Sequence, residues 1–139
     1  MLSTVLTTCL IATAVADTDP MVPAPLGTQL LVVERNIIKR TNVERQRHGL
    51  PILAVDPSLT ITARKHCQWM AGARNLTHTR IGVGENIAMG QANTHEALRT
   101  WMNSSGHRAN ILSRGYSRMG AAAYVSSSGQ IYYCQQFLR

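Results

Sequence analysis

The spacing of apolar residues along this chain changes character once, and that change limits the fold. Up to about residue 112 they recur mostly at helical intervals; beyond it they fall into two runs of strand type. Leu30, Val33, Ile37 and Ile38, with the stem of Arg45, mark a helix over 28–48, closed by Gly49 and Pro51. Asp56-Pro57 opens a second helix, since Asp56 can cap it and proline loses nothing at the first helical position. Leu59, Ala63, Cys67 and Met70 form its core-facing stripe, and Gly72 is its expected end. Asn93, with Glu96 three residues on, gives a third helix a capping-box-like start. Its apolar face is Ala97, Leu98, Trp101 and Met102. Ser104-Ser105-Gly106 breaks it, and a short helical turn from His107 to Leu112 follows. Met119–Val125 and Gln130–Phe137 read as strands joined by the hairpin loop Ser126–Gly129. Helices first and a hairpin last predict an α+β layered fold.

Between the second and third helices, residues 72–92 carry little periodicity. They include Asn75-Leu76-Thr77-His78-Thr79 and Gly82-Val83-Gly84-Glu85-Asn86. An irregular, ordered loop is expected here, and loops of this length inside a compact domain are commonly functional.

The first sixteen residues, MLSTVLTTCLIATAVA, carry no charge. Val5–Ala16 has the length of a signal-peptide apolar region, and Ala14-Val15-Ala16 gives the small-x-small pattern before Asp17, although no Lys or Arg precedes the stretch. The organisation predicted is a signal peptide over 1–16, a Pro- and Asp-rich flexible lead-in over 17–27, and one domain over 28–139. Leu6-Thr7-Thr8-Cys9 loosely resembles a lipoprotein box, but the apolar stretch before Cys9 is too short for lipidation at that position. No apolar run approaches the length of a transmembrane helix. Secretion, to an extracellular or periplasmic space, is therefore the expected localisation. Export also gives the cysteines a meaning. Loss of Cys9 leaves Cys67 and Cys134, and a pair in an exported chain suggests a disulfide closing a loop of about 67 residues, worth roughly 3–4 kcal/mol. Two buried free thiols are the other reading.

Fourteen Lys and Arg against seven Asp and Glu give a net charge of +7, which attracts anionic polymers. The basic residues are scattered, and no helix-turn-helix, zinc-finger or RNA-recognition pattern is present, so no specific nucleic-acid partner is expected.

Gly84-Glu85-Asn86-Ile87-Ala88 resembles the GEN motif of the CAP superfamily, which includes cysteine-rich secretory proteins, venom allergens and plant pathogenesis-related proteins. Trp101–Leu112, WMNSSGHRANIL, resembles the corresponding block of its bacterial branch. Asn42–Arg45 with Gly49-Leu50-Pro51, Ala63–Met70, Leu76–Thr79, Tyr116…Met119-Gly120 and Gln135-Gln136-Phe137 resemble further family segments in the same order. The resemblance spans roughly 30–138 and implies an SCP-like extracellular domain with a three-layer α-β-α sandwich around a central antiparallel sheet.

By position, the resemblance carries His78, Glu85 and His107 onto three of the family's four clustered His and Glu side chains. The fourth, a Glu in the eukaryotic branch, is replaced here by Ser104. His78 and His107 could ligate zinc, with Glu85 orienting an imidazole or acting as a base on bound water, but so sparse a set implies weak zinc binding. A hydrogen-bonded cluster that pins loops to the sheet is the structural alternative. The remaining histidines read as structural: His48 at a helix end, His66 at the surface or in packing, and His95 solvated. Ser104 and Ser105 lie near His107, but no nucleophile elbow and no completing acid accompany them. The sequons at Asn75 and Asn103 are read as coincidental. The function expected is a non-catalytic extracellular binding module whose unknown ligand could be an anionic wall polymer or a lipid. The alternative is a metal-assisted hydrolase or peptidase that uses His78, His107 and, as candidate catalytic base, Glu85.

Overall fold

A computed structural model describes residues 29–139. The expected signal peptide, the lead-in, Cys9 and the first residue of the first helix lie outside the described residues.

Four helices and four strands follow one another as α1 (Val32–Arg47), β1 (Ala54–Val55), α2 (Pro57–Ala73), β2 (Gly84–Met89), α3 (Thr94–Asn103), α4 (Ser105–Ile111), β3 (Arg118–Val125) and β4 (Ile131–Leu138). The strands form one sheet in the order β1-β3-β4-β2. β3 and β4 form the expected hairpin, and β2 runs antiparallel to β4. β1 joins β3 in parallel through Ala54↔Arg118 and Val55↔Met119, so the sheet is mixed at one edge rather than wholly antiparallel.

Alternation along the strands divides the core in two. Met119, Ala121, Tyr133 and Phe137 pack with Ile37, Leu98, Trp101 and Ile111 of α1, α3 and α4 on one face. Ala122, Tyr132, Cys134 and Ile87 pack with Ala63, Cys67 and Met70 of α2 on the other. A sheet between these helical layers is the three-layer sandwich. The first turn of α2 lies directly on β3 at Gly120, where a Cβ would stand 2.3 Å from the backbone carbon of Leu59 and 2.3 Å from the amide nitrogen of Thr60. Glycine here permits a backbone approach that no other residue allows.

The predicted caps form. Asp56 Oδ1 accepts from the backbone N–H groups of Ser58 and Leu59, and Asn93 Oδ1 accepts from those of His95 and Glu96. α2 continues past Gly72 to Ala73. Arg74, at φ 51°, then takes the left-handed cap position that glycine more often fills.

Two expectations need correction. Residues 84–89 form a strand, not a loop. Glu85 and Asn86 are buried polar residues that are hydrogen-bonded on opposite faces, so the stretch lacks the apolar alternation that identifies a strand. The proposed Cys67–Cys134 disulfide is not formed: both residues are fully buried free thiols. They share one core cluster and contact each other as thiols, and their sulfurs also reach oxygen acceptors, Cys67 with Ala122 O at 3.6 Å and Cys134 with Glu85 Oε2 at 3.7 Å. Counting cysteines found neighbours, not an oxidation state. Burial, followed by the contact with Cys67 and the charge of Glu85, holds the Cys134 thiol well above its ordinary pKa. A thiol reagent at pH 8 is therefore expected to label neither Cys67 nor Cys134 in the folded chain and both after unfolding in urea. Peptide mapping checks this, and native labelling at either position would contradict the burial.

Candidate functional site

The site forms around β2, one of the two edge strands. Its register with β4 places Glu85 beside Gln136 and Asn86 beside Gln135. Alternation then sends Glu85 toward α2 and Asn86 toward α4.

On the α2 side, Glu85 is buried and both its oxygens are engaged. Oε1 accepts from the backbone N–H of Thr79 at 2.9 Å and contacts His78 Nδ1 at 2.9 Å. Oε2 accepts from Gln136 Nε2 at 2.9 Å and faces the Cys134 thiol. Gln136 is itself oriented by the Thr62 hydroxyl of α2. His66 Nε2 lies 3.9 Å from Oε1 and donates to Thr77 O at 2.7 Å, while its ring stacks on Trp69. Burial alone would raise the pKa of Glu85. The donors from Gln136, the Thr79 backbone and His78, with the nearby His66, outweigh it and hold the carboxyl below its ordinary value.

On the other side, Asn86 Nδ2 donates to His107 O and to Gln135 Oε1, both at 3.1 Å. Asn110 Nδ2 donates to Glu85 O at 3.1 Å and to Asn86 Oδ1 at 2.9 Å. Trp101 Nε1 donates to Ile87 O at 3.0 Å. These side chains satisfy carbonyls of the edge strand and fix α4 against it, which sets the position of His107. The His107 ring is half-buried, and its Nδ1 has no hydrogen-bond partner. Burial, and secondarily the neighbouring His78, lowers its pKa below that of a free imidazole. The rings of His78 and His107 stand 6.5 Å apart, tilted by 47°. His78 is exposed.

The structure thus brings His78, Glu85 and His107 together at one edge. It also adds His66, which the sequence reading placed at the surface or in packing. His66 follows Ala63 by three residues and so shares its buried face; that periodicity, and its place in the Ala63–Met70 segment, were the available signals. Asn86, Asn110 and Gln136 lie in segments that carry the family resemblance, but their roles are not legible there, because each acts through a pairing formed only in the folded chain. His48 and His95 are exposed and stand outside the cluster. Glu96 accepts from the Ala92 N–H at the start of α3. Among the described residues, no group of three or more His, Cys, Asp or Glu is placed to hold a metal ion. Two imidazoles without a third ligand do not make a built zinc centre.

The cysteine-rich secretory protein family model, CAP, matches residues 38–137. The chain belongs to this family. The CAP domain is 36% identical over 122 residues to the uncharacterized protein YkwD of Bacillus subtilis (strain 168), covering 76% of this chain and 46% of that protein. It superposes on an extracellular protein containing a SCP domain from Bacillus anthracis str. Ames with a TM-score of 0.69 at 29% identity, covering 76% of this chain and 40% of the other. An outer surface protein of Borrelia burgdorferi gives a TM-score of 0.67 at 17% identity over 76% of this chain and 91% of that one, a likeness of fold alone. The chain spans less than half the length of the curated relatives it matches. No helix among the described residues is long and apolar enough to cross a membrane.

Proposed function

We propose that this CAP domain is an exported, non-catalytic binding module that recognises an extracellular ligand through the His78–His107 cleft. Support for the reading comes from Glu85. A general base needs a free lone pair and a pKa near the working pH. Glu85 has both oxygens occupied by protein donors and a lowered pKa. It is a clamp that holds the loop bearing His78, and it leaves the two imidazoles as the chemically distinctive surface. The uncharged leader over residues 1–16 supports export, and the net charge of +7 suits an anionic wall polymer or lipid as partner.

One observation favours a second reading, a metal-assisted hydrolase or peptidase. Burial, and secondarily His78, lowers the pKa of His107, which favours the neutral ring that a metal requires, and its Nδ1 has no hydrogen-bond partner. A panel of peptide and ester substrates, assayed with and without added zinc, separates the two. The expected result is no turnover, and no difference between the wild type and His78→Ala/His107→Ala. Zinc-dependent turnover that this double variant abolishes would overturn the binding-only reading. Calorimetric zinc titration of the same two proteins reports whether the imidazoles bind metal at all.

A further inference from the structure

Three fully buried polar side chains, Thr41, Gln135 and Asn86, join α1 to α4 through the sheet. Thr41 stands midway between Ile37 and Arg45 at helical spacing, on the face of α1 where all three are buried. Its hydroxyl donates to Ile37 O at 2.9 Å, the back-bond that threonine makes inside a helix. A hydroxyl has one hydrogen, so toward the sheet Thr41 Oγ1 can only accept. Gln135 of β4 presents Nε2 to it and turns Oε1 to Asn86 of β2. Asn86 Nδ2 divides its hydrogens between Gln135 Oε1 and His107 O, both at 3.1 Å. Asn86 Oδ1 is left to accept from Asn110 Nδ2 at 2.9 Å, and the same Nδ2 donates to Glu85 O.

The polarity of this chain is fixed at both ends. At α1 it meets an oxygen whose hydrogen is spent. At α4 and β2 it meets the carbonyls of His107 and Glu85, which can only accept. Turning over the Gln135 amide would set its Nε2 against Asn86 Nδ2. Turning over the Asn86 amide would set its Oδ1 against two acceptors. At buried positions either change leaves polar groups unmet, so the chain has one arrangement and behaves as a strut. It ends on the backbone of the residue whose ring faces the cleft. Arg45 holds the other end of α4, through Ile111 O and Ser113 O. From this we infer that Thr41 is a positioning residue for His107. Its hydroxyl acts through Gln135 and Asn86, from a helix that supplies none of the site's His or Glu side chains. The inference rests on the proposed function only in taking His107 to face the cleft, and its readouts need no ligand, so either can fail without the other.

The test is nuclear magnetic resonance of the full chain as wild type, Thr41→Val and Thr41→Ser. Valine keeps the shape of threonine and removes the hydroxyl; serine keeps the hydroxyl and removes the methyl. In Thr41→Val the side-chain amide signals of Gln135, Asn86 and Asn110 and the ring signals of His107 are expected to move. The backbone amides of α4 are expected to exchange on the order of tenfold faster relative to those of α2. The ring signals of His66, which is held by Thr77 O on the α2 side of the sheet, are expected to stay in place. In Thr41→Ser all of these signals are expected at their wild-type positions. Thr41→Cys, whose sulfur is a weak acceptor, is expected to move the same signals by less, and it takes the place of valine if that variant does not fold. The inference fails if loss of the hydroxyl leaves the His107 ring signals unchanged, or if the His66 ring moves as far as that of His107, the mark of a general loosening. It fails equally if Thr41→Ser displaces the His107 ring as valine does, since the methyl would then be the group that acts.

Discussion

Arg45→Ala is expected to destabilise the domain by about 3–5 kcal/mol, with a fall in melting temperature on the order of 10 °C or more. The arginine is fully buried near the C-terminal end of α1. Its guanidinium donates to three backbone carbonyls at 2.8 Å: Pro51 O in the turn after α1, and Ile111 O and Ser113 O at the end of α4. Those α4 carbonyls are 66 and 68 residues away in sequence, so this one side chain ties the exit of α1 to the exit of the helix that carries His107. Truncation leaves the carbonyls without their charged donor, at roughly 1–3 kcal/mol for each that stays dry, and opens a cavity where the stem was packed. An opposing effect limits the loss. Burial lowers the pKa of Arg45, and its Nη2 has no hydrogen-bond partner, so removing the charge relieves some desolvation. Three lost charge-assisted bonds outweigh that relief. Arg45→Lys is expected to recover only part of the loss, because an ammonium cannot reproduce the planar fork. Urea denaturation of the variants measures the differences; a loss under 1 kcal/mol for Arg45→Ala would contradict the assignment.

Arg45 also marks the limit of what the sequence conveys. Its place on the apolar period of the first helix is legible, and so are the caps at Asp56 and Asn93, the stripe of α2 and the terminal hairpin. Each depends on residues within a few positions of one another. Strand β2 is not legible as a strand. Glu85 and Asn86 occupy its two buried faces and are kept there by partners as far off as Gln136 and Gln135. The same holds at the site. His78, Glu85 and His107 are found through motif resemblance, whereas His66 reaches Glu85 only because α2 packs on the sheet in one register. Polar residues at buried positions look like loop in one dimension. The fold supplies their partners, and a local pattern cannot reveal that.

Glu85→Ala is expected to cost about 3–4 kcal/mol and to release the loop that carries His78. The carboxylate is the shared acceptor for His78, the Thr79 backbone, Gln136 and the Cys134 thiol. His78 is exposed and can turn to water, but Gln136 is fully buried and would lose the acceptor of its Nε2. Glu85→Gln is expected to recover little, since the new amide NH₂ would face donors whichever way it is turned. The pH dependence gives a sharper test. The folded pKa of Glu85 lies below its value in the unfolded chain, so its stabilisation is fully present above the unfolded value. It is lost as the pH falls through the folded one. The stability gap between wild type and Glu85→Gln should therefore hold steady near pH 7 and narrow below about pH 4.5, the ordinary value for the group. Hydrogen exchange should show faster opening at Thr79 in both variants, while the β3–β4 amides keep their protection relative to each variant's global stability. A pH-independent gap would mean that Glu85 acts by shape rather than by charge, and its role as a carboxylate clamp on the loop that carries His78 would have to be abandoned.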